Sequence, residues 1–248
     1  MTRQDGRGAK QLREIKLTRN CNLYAEGSCL VEWGNTKVLC TASVENTVPS
    51  FLRGTGSGWV TAEYSMLPRA TYTRNSRERF AGKPNSRSLE IQRLIGRSLR
   101  AAVKLEQLGE YTVTIDCDVL QADGGTRTAS ITGGFVALVD ALRSLKYDGK
   151  ITTVPLAEQI AAVSCGKVQG QMLLDLCYLE DSRAEVDANF VMTGRGDFVE
   201  IQGTGEGGLF SQSELDELIR YAKAGVQQIM QLQRDVLKIT EKEAQLLG

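Results

Sequence analysis

Four acidic residues lie close together in the second half of the sequence: Glu180, Asp181, Glu185 and Asp187. Carboxylate oxygens are the hard ligands that Mg²⁺ prefers in proteins. Asp181 and Asp187 are therefore candidates for holding one divalent cation, Mg²⁺ or Mn²⁺. The alternative is a polar hairpin turn that is rich in acids and has no catalytic role.

A glycine-rich loop at residues 122–128 offers a place to bind an anion. It combines Gly124 and Gly125 with the hydroxyl of Thr126 and the guanidinium of Arg127. The loop precedes a predicted helix, whose first backbone N–H groups would also point toward the anion. Its spacing fits neither the Walker phosphate loop nor the dinucleotide-binding glycine motif. The alternative is a strand-to-helix turn that only needs glycine.

The basic residues are concentrated in one segment. Residues 69–104 contain ten Lys or Arg against two Glu, whereas the whole chain has 30 basic and 30 acidic residues. An otherwise neutral protein with a polyanion site has this charge distribution. The excess of Arg over Lys favours phosphate recognition, because a guanidinium forms paired hydrogen bonds with phosphate oxygens.

Part of this basic segment is predicted to be a helix, since apolar residues take up helical spacing from Leu89 onward. Arg87 stands just before that helix, where it could meet an anion at the helix start. Four basic residues share the face opposite the apolar stripe, namely Arg93, Arg97, Arg100 and Lys104. Acidic partners at helical spacing are nearly absent, which favours contact with a nucleic-acid backbone. The alternatives are an exposed charged surface for the helix and a solvated loop arginine for Arg87.

The sequence contains no histidine, which excludes Ser-His-Asp triads, paired-histidine ribonucleases and His-ligated zinc sites. Hydrophobic residues make up 42% and charged residues 24%, as in ordinary globular proteins. The six cysteines form no C-x-x-C pair and are expected to be reduced thiols. No apolar run follows Met1 or approaches the ~20 residues of a membrane span, so we expect a cytoplasmic protein.

The strands and helices of the first half place the glycine loop between a strand and a helix. Alternating apolar residues predict strands at residues 28–33, 36–44, 58–64 and 111–120. Helical spacing predicts one helix from Leu89 and another at residues 129–145.

The second half repeats this order of strands and then a helix. Strands are predicted at residues 161–168, 172–179, 185–192 and 198–202, followed by a long amphipathic helix. Ser213 with Asp216 could form the capping box of that helix. We interpret the chain as an α+β fold of two similar β-α units, residues 1–146 and 156–248, related by a weak internal duplication.

Long runs of the sequence closely resemble the ribonuclease PH family of bacterial phosphorolytic 3′-exoribonucleases. Two of them are FLRGTGSGWVTAEYSMLPRATYTRNSRERFAGKPNSRSLEIQRLIGRSLRA and DCDVLQADGGTRTASITGGFVALVDAL. Further matches are AEGSCLVEWGNTKVLCTASVE, EDSRAEVDANFVMT and EIQGTGEG. The resemblance implies mixed sheets packed with helices, as in the exosome core, and trimming of tRNA precursors by a homohexamer built from three dimers.

The resemblance also implies roles for individual residues. Phosphate, the co-substrate, would be bound by Arg87, Gly125, Thr126 and Arg127. Asp181 and Asp187 would be the catalytic, metal-holding carboxylates, and Arg69, Arg74 and Arg77 would contact RNA or support subunit assembly. Three residues depart from the family pattern, namely Tyr72, Ser86 and Cys177.

The absence of histidine suits phosphorolysis, because inorganic phosphate is already anionic near neutral pH and needs no strong base. We therefore expect a reaction that consumes phosphate and releases nucleoside diphosphates. Two other hypotheses remain at this stage. A non-catalytic RNA-binding ring subunit would release no nucleotide, and a hydrolytic nuclease would release monophosphates without added phosphate.

Overall fold

The computed structural model describes residues 3–77 and 85–239. Alternating apolar residues in the first half form a five-stranded sheet with the strand order β1-β2-β3-β5-β4. Its strands are β1 (Ile15–Arg19), β2 (Gly27–Trp33), β3 (Thr36–Glu45), β4 (Trp59–Met66) and β5 (Thr112–Gln121). All neighbours are antiparallel except β4 and β5, which run parallel. A parallel pair needs a crossover connection, and this one passes through helix α1 (Ser86–Ala101).

The second half forms a four-stranded antiparallel sheet with the order β7-β6-β8-β9. Its strands are β6 (Ile160–Val168), β7 (Gln171–Leu174), β8 (Val186–Thr193) and β9 (Phe198–Thr204). Helix α5 (Gln212–Leu237) packs against β6 and β7 with its apolar face. Two short helices, α2 (Leu105–Leu108) and α4 (Tyr178–Asp181), lie in the connections.

Helix α3 (Thr126–Tyr147) lies between the two sheets. It packs against β2 and β3 of the first sheet and against β6 of the second. Because it is covered on both sides, 17 of its 22 residues are buried, as expected for a central helix. A side chain at Gly133 would come within 2.2 Å of Val31, so glycine is needed for this close approach to the first sheet. The core of the protein therefore runs through α3.

The α+β fold is confirmed, with one mixed sheet and one antiparallel sheet packed with helices. The predicted boundary at residues 146–156 covers the last two residues of α3 and most of the connection to β6. The division into two domains stays a prediction. In the described part of the chain, no helix combines the length and apolar character needed to cross a membrane.

Two helix boundaries differ from the sequence prediction. The predicted capping box of Ser213 and Asp216 is wrong, because the box is formed by Ser211 and Glu214 two residues earlier. Helix α1 begins at Ser86 rather than Leu89, since the side chain of Asn85 caps the N–H of Arg87. Lys104 lies beyond the end of α1 at Ala101, so it does not extend the basic face.

The predicted strand at residues 172–179 is only partly correct. Strand β7 ends at Leu174, and α4 follows after three residues. The backbone of Asp175 has φ of 57°, a left-handed conformation that no regular strand contains. This bend separates β7 from the short helix that carries Asp181.

Candidate active site

A cleft of about 870 Å³ lies where α1, α3 and α4 begin or end beside β8 and β9. The structure brings six predicted site residues to its walls: Arg87, Gly125, Thr126, Arg127, Asp181 and Asp187. The other predicted residues, namely Arg69, Arg74, Arg77, Arg93 and Arg97, do not line it. The cleft thus joins the glycine loop of the first half to the aspartates of the second.

The glycine loop adopts the backbone conformation that only glycine reaches at low cost. Gly124 and Gly125 have φ of 77° and 67°, and Gly125 is the residue that caps the N-terminus of α3. The first N–H groups of an α-helix have no partner within the helix and carry the positive end of the helix dipole, and Thr126 and Arg127 of the first turn of α3 line the cleft. The hydroxyl of Thr126 lies 2.8 Å from the buried Tyr64 hydroxyl, which orients it. The loop has the properties of an anion-binding site.

Two arginines flank this loop. Arg127 donates to the side-chain oxygen of Gln202 at 2.7 Å and to the carboxylate of Glu90 at 3.1 Å, so its guanidinium is held in place. Arg87 is exposed in the first turn of α1 and lies close enough to lower the pKa of Asp181. Both guanidiniums can therefore bind an anion that sits between the loop and the aspartates.

The two aspartates are in an environment that disfavours their charge. Burial raises the pKa of Asp181, and nearby Arg87 partly offsets this effect. Burial and the carboxylate of Asp181 raise the pKa of Asp187 to about 6. Glu206, in the loop after β9, raises the pKa of both groups further.

These carboxylates fit a hard divalent cation, which would remove the repulsion between them. Among the described residues, no group of three or more Asp, Glu, Cys or His side chains could hold a metal ion. Mg²⁺ commonly binds through one or two carboxylates, with water and substrate phosphate completing its coordination. The pair of Asp181 and Asp187 is suited to that mode of binding.

The predicted acidic cluster separates into two parts. Glu180 points away from the cleft and pairs with buried Arg3 at 2.6 Å. Glu185 accepts from the N–H of Gly170, so it supports the β6–β7 turn. These two acids make structural contacts, but the predicted alternative of a hairpin turn is wrong, because β7 and β8 are not neighbours in the sheet and Glu180 lies in α4.

The basic face of α1 is also less free than its sequence indicates. Arg97 pairs with Glu200 of β9 at 2.7 Å, and Arg100 donates to the carbonyl of Val60. Acidic partners are scarce within the helix, as the sequence indicates, but these two arginines have partners on strands β9 and β4. Arg93 and Arg97 line a second cavity of about 390 Å³, which shares Glu90 and Gln202 with the cleft.

The arginines Arg69, Arg74 and Arg77 are exposed in the segment after β4. Residues 78–84 of the basic segment lie outside the described residues. Of the three departures, Tyr72 is exposed, Ser86 is an ordinary helical residue of α1 and Cys177 caps α4. None of the three side chains lines the cleft.

Several residues of the site were missed by sequence reasoning. Glu90, Gln202, Asn189 and Glu206 line the cleft, and Tyr64 holds Thr126 from behind. The only sequence signal was for Glu206, which stands in a glycine-rich run after a predicted strand. The others appear as ordinary helix or strand residues.

The sequence matches two parts of one known family. Residues 11–144 match domain 1 of the 3′ exoribonuclease family, RNase PH, and residues 158–225 match domain 2 of the same family. Together the matches cover most of the chain.

Solved structures share the fold. Rice (Oryza sativa) Rrp46 is 22% identical with a TM-score of 0.77, over 95% of this chain and 100% of that chain. A chain of the Archaeoglobus fulgidus exosome with RNA bound to the active site is 24% identical with a TM-score of 0.79, over 92% and 91%. A chain of an archaeal exosome core is 22% identical with a TM-score of 0.74, over 94% and 91%. Because the two family matches cover more than half of the sequence, the chain belongs to the RNase PH family of 3′ exoribonucleases.

Proposed function

We propose that the protein is a phosphate-dependent 3′-to-5′ exoribonuclease that removes terminal nucleotides as nucleoside diphosphates, chiefly from tRNA precursors. The observation that carries this proposal is the meeting of two kinds of group in one cleft. An anion-binding loop with two arginines faces two partly buried carboxylates, although these groups come from opposite halves of the chain. A hydrolytic nuclease has no need for a second anion site beside its metal ligands.

The loop and the arginines hold inorganic phosphate next to the last phosphodiester of the RNA. A phosphate oxygen attacks the terminal phosphorus, and the bond from that phosphorus to the 3′ oxygen of the preceding nucleotide breaks. The leaving 3′ oxygen takes the proton of the hydrogen phosphate. The products are a nucleoside diphosphate and an RNA shortened by one nucleotide, and the reaction is reversible.

Positioning accounts for most of the catalysis in this proposal, because two anions must be brought into line. Arg87 and Arg127 offset the charge of both anions in a partly buried cleft, where electrostatic interactions are stronger than in water. Mg²⁺ or Mn²⁺ bound by Asp181 and Asp187 would supply Lewis-acid stabilisation of the charge on the phosphorus centre. The hydrogen bond between the Tyr64 and Thr126 hydroxyls would hold Thr126 in place beside the bound phosphate.

We propose that RNA reaches the cleft along the neighbouring cavity lined by Arg93 and Arg97. The exposed Arg69, Arg74 and Arg77 would contact RNA or an adjacent subunit. A homohexamer built as a trimer of dimers is the assembly that the family resemblance favours. Light scattering after gel filtration tests it, with an expected mass of six times 27.2 kDa.

The function is tested by incubating the protein with a 3′-extended tRNA and Mg²⁺, with and without phosphate. Chromatography of the released nucleotides distinguishes the hypotheses. We expect diphosphates, and only when phosphate is present. Monophosphates that appear without phosphate would indicate a hydrolase, and intact RNA under both conditions would indicate a non-catalytic binding subunit.

A further inference from the structure

The segment before β1 carries three arginines whose guanidiniums are buried behind the active-site cleft. Arg3 and Arg13 are 3% and 7% exposed, and the side chain of Arg7 is 7% exposed. Arginine is rarely buried unless it is paired, so these contacts have a specific structural consequence. None of the three lines the cleft itself.

Arg13 connects the glycine loop to a buried carboxylate. Its guanidinium pairs with Asp175 at 2.7 Å and also donates to the backbone carbonyls of Asp123 and Gly124. Asp175 is 1% exposed and receives a further hydrogen bond from the indole of Trp33. The Arg13 guanidinium therefore links the backbone of the glycine loop to Asp175, and the position of the loop depends on this link.

Arg3 and Arg7 hold the short helix that carries Asp181. Arg3 forms a bidentate pair with Glu180 at 2.6 and 2.7 Å and donates to the carbonyl of Asp175. Arg7 reaches the same two acids, with distances of 3.2 Å to Asp175 and 3.6 Å to Glu180. Glu180 precedes Asp181 directly, so these pairs fix the chain at one of the proposed metal ligands.

The glycine loop and this helix also pack directly against each other. The N–H of Tyr178 donates to the carboxylate of Asp123 at 3.2 Å. A side chain at Gly124 would come within 2.5 Å of the carbonyl of Leu176. A shift of either element would therefore move the other.

We infer that the arginine segment, residues 3–13, positions the active site by locking the glycine loop against the helix of Asp181. Arg13 is a positioning residue for phosphate, and Arg3 is a positioning residue for Asp181. This inference rests on the proposed function, because phosphate and RNA are the ligands that the two elements would align. Small displacements at such a junction weaken catalysis strongly, since both anions must be in line.

The test compares Arg13→Lys with Arg19→Lys. Arg19 is a matched control, because it makes a bidentate pair with Asp140 and donates to the carbonyl of Val236. Asp140 lies 14 residues along α3 from Thr126, which is about 21 Å at 1.5 Å per residue. Both variants keep a positive charge and disturb a comparable ion pair.

We expect Arg13→Lys to raise the KM for phosphate about tenfold or more while kcat at saturating phosphate changes less. Arg19→Lys should lower the thermal unfolding temperature without changing that KM. Protection against thermal unfolding by inorganic phosphate gives a second measurement that needs no turnover, and it should weaken only in Arg13→Lys. Equal phosphate KM values in both variants, with only stability changed, would overturn the inference.

The wild-type protein separates this inference from the proposed function. Failure of the proposed function would appear in the wild type, either as product release without phosphate or as intact RNA under both conditions. If the wild type depends on phosphate and Arg13→Lys behaves like Arg19→Lys, only the positioning role fails. Should Arg13→Lys not fold, Arg7→Lys replaces it, because Arg7 pairs with the same Asp175 that holds Arg13 against the glycine loop. A phosphate KM equal to that of the wild type then overturns the inference.

Discussion

The carboxylate of Asp181 lies beside that of Asp187, and burial together with this neighbour raises the pKa of Asp187 to about 6. An unfolded aspartate has a pKa of ~3.9, so ionising Asp187 near neutral pH costs the folded chain roughly 3 kcal/mol. A carboxyl with a raised folded pKa lowers stability above its folded pKa, and the penalty disappears as pH falls toward the unfolded value. The active site is thus a source of instability without a bound cation.

We predict that Asp187→Asn raises the unfolding temperature of the metal-free protein at pH 7.5. The gain should shrink as the pH falls from 6 toward 4, because the wild-type carboxyl then becomes neutral in the folded chain. Thermal unfolding followed by circular dichroism in EDTA measures it, with Asp216→Asn as the control at an exposed aspartate of α5. If Asp187→Asn is less stable than the wild type at pH 7.5, the ionised Asp187 does not destabilise the folded chain.

The hydrogen bonds of Arg127 to Gln202 and Glu90 leave its guanidinium fixed at the edge of the glycine loop. We predict that Arg127→Ala raises the KM for phosphate by roughly ten- to hundredfold, the value of one charge-assisted hydrogen bond. Steady-state rates of diphosphate release across a phosphate series measure the effect. Arg195→Ala is the control, since it removes a positive charge that pairs with Glu158 outside the cleft. Unchanged phosphate dependence in Arg127→Ala would remove this residue from the phosphate site.

Gly124 and Gly170 provide a matched pair for the role of the glycine loop. Their φ values are 77° and 73°, but only at Gly124 would a side chain meet backbone atoms, whereas nothing lies within 4 Å of Gly170. We predict that Gly170→Ala costs about 1 kcal/mol of stability, and that Gly124→Ala costs more and also raises the KM for phosphate. Urea unfolding and phosphate titrations measure the two effects. Identical behaviour of both variants would mean that backbone strain alone, and no loop displacement, determines the result.

The local patterns of the sequence predicted what depends on local physics. The strict alternation in β5 and the helical spacing in α3 placed the glycine loop between them, and Asp187 was correctly assigned to a strand next to the acidic residues. These elements bury apolar faces whose period is set by the backbone itself. The phosphate-binding and carboxylate residues that the family resemblance implied line one cleft, whereas Arg69, Arg74 and Arg77 do not.

The remaining features depend on contacts between residues that are far apart in the chain. Arg3 and Glu180 are 177 positions apart, and Arg97 and Glu200 are 103 positions apart. The spacing of charges along a helix reveals only partners one turn away, so the arginines of α1 appeared to have no acidic partners. Asp175 follows β7 in a left-handed conformation, and its side chain accepts hydrogen bonds from Arg13 and Trp33. Both partners are distant in the sequence, so local propensity does not predict this bend.

The ion pair between Arg97 and Glu200 leads to a last prediction, on RNA binding. Arg93 is exposed in the second cavity, while the charge of Arg97 is already offset by Glu200 at 2.7 Å. Arg93→Gln should therefore weaken binding of single-stranded RNA more than Arg97→Gln does. For Arg93→Gln, the slope of log affinity against log salt should be smaller than that of the wild type by about one, which corresponds to the loss of one phosphate contact.

Fluorescence anisotropy with a labelled oligonucleotide at several salt concentrations measures these affinities, and Arg220→Gln on the exposed side of α5 is the control. Glu200→Gln provides the decisive comparison, because it frees Arg97 without adding a positive group. If RNA follows this cavity, Glu200→Gln should bind RNA more tightly than the wild type, and the gain should disappear in the double variant with Arg97→Gln. Equal affinity of Glu200→Gln and the wild type at low salt would place the RNA path elsewhere on the protein, since an unpaired guanidinium beside bound RNA has to strengthen the electrostatic attraction.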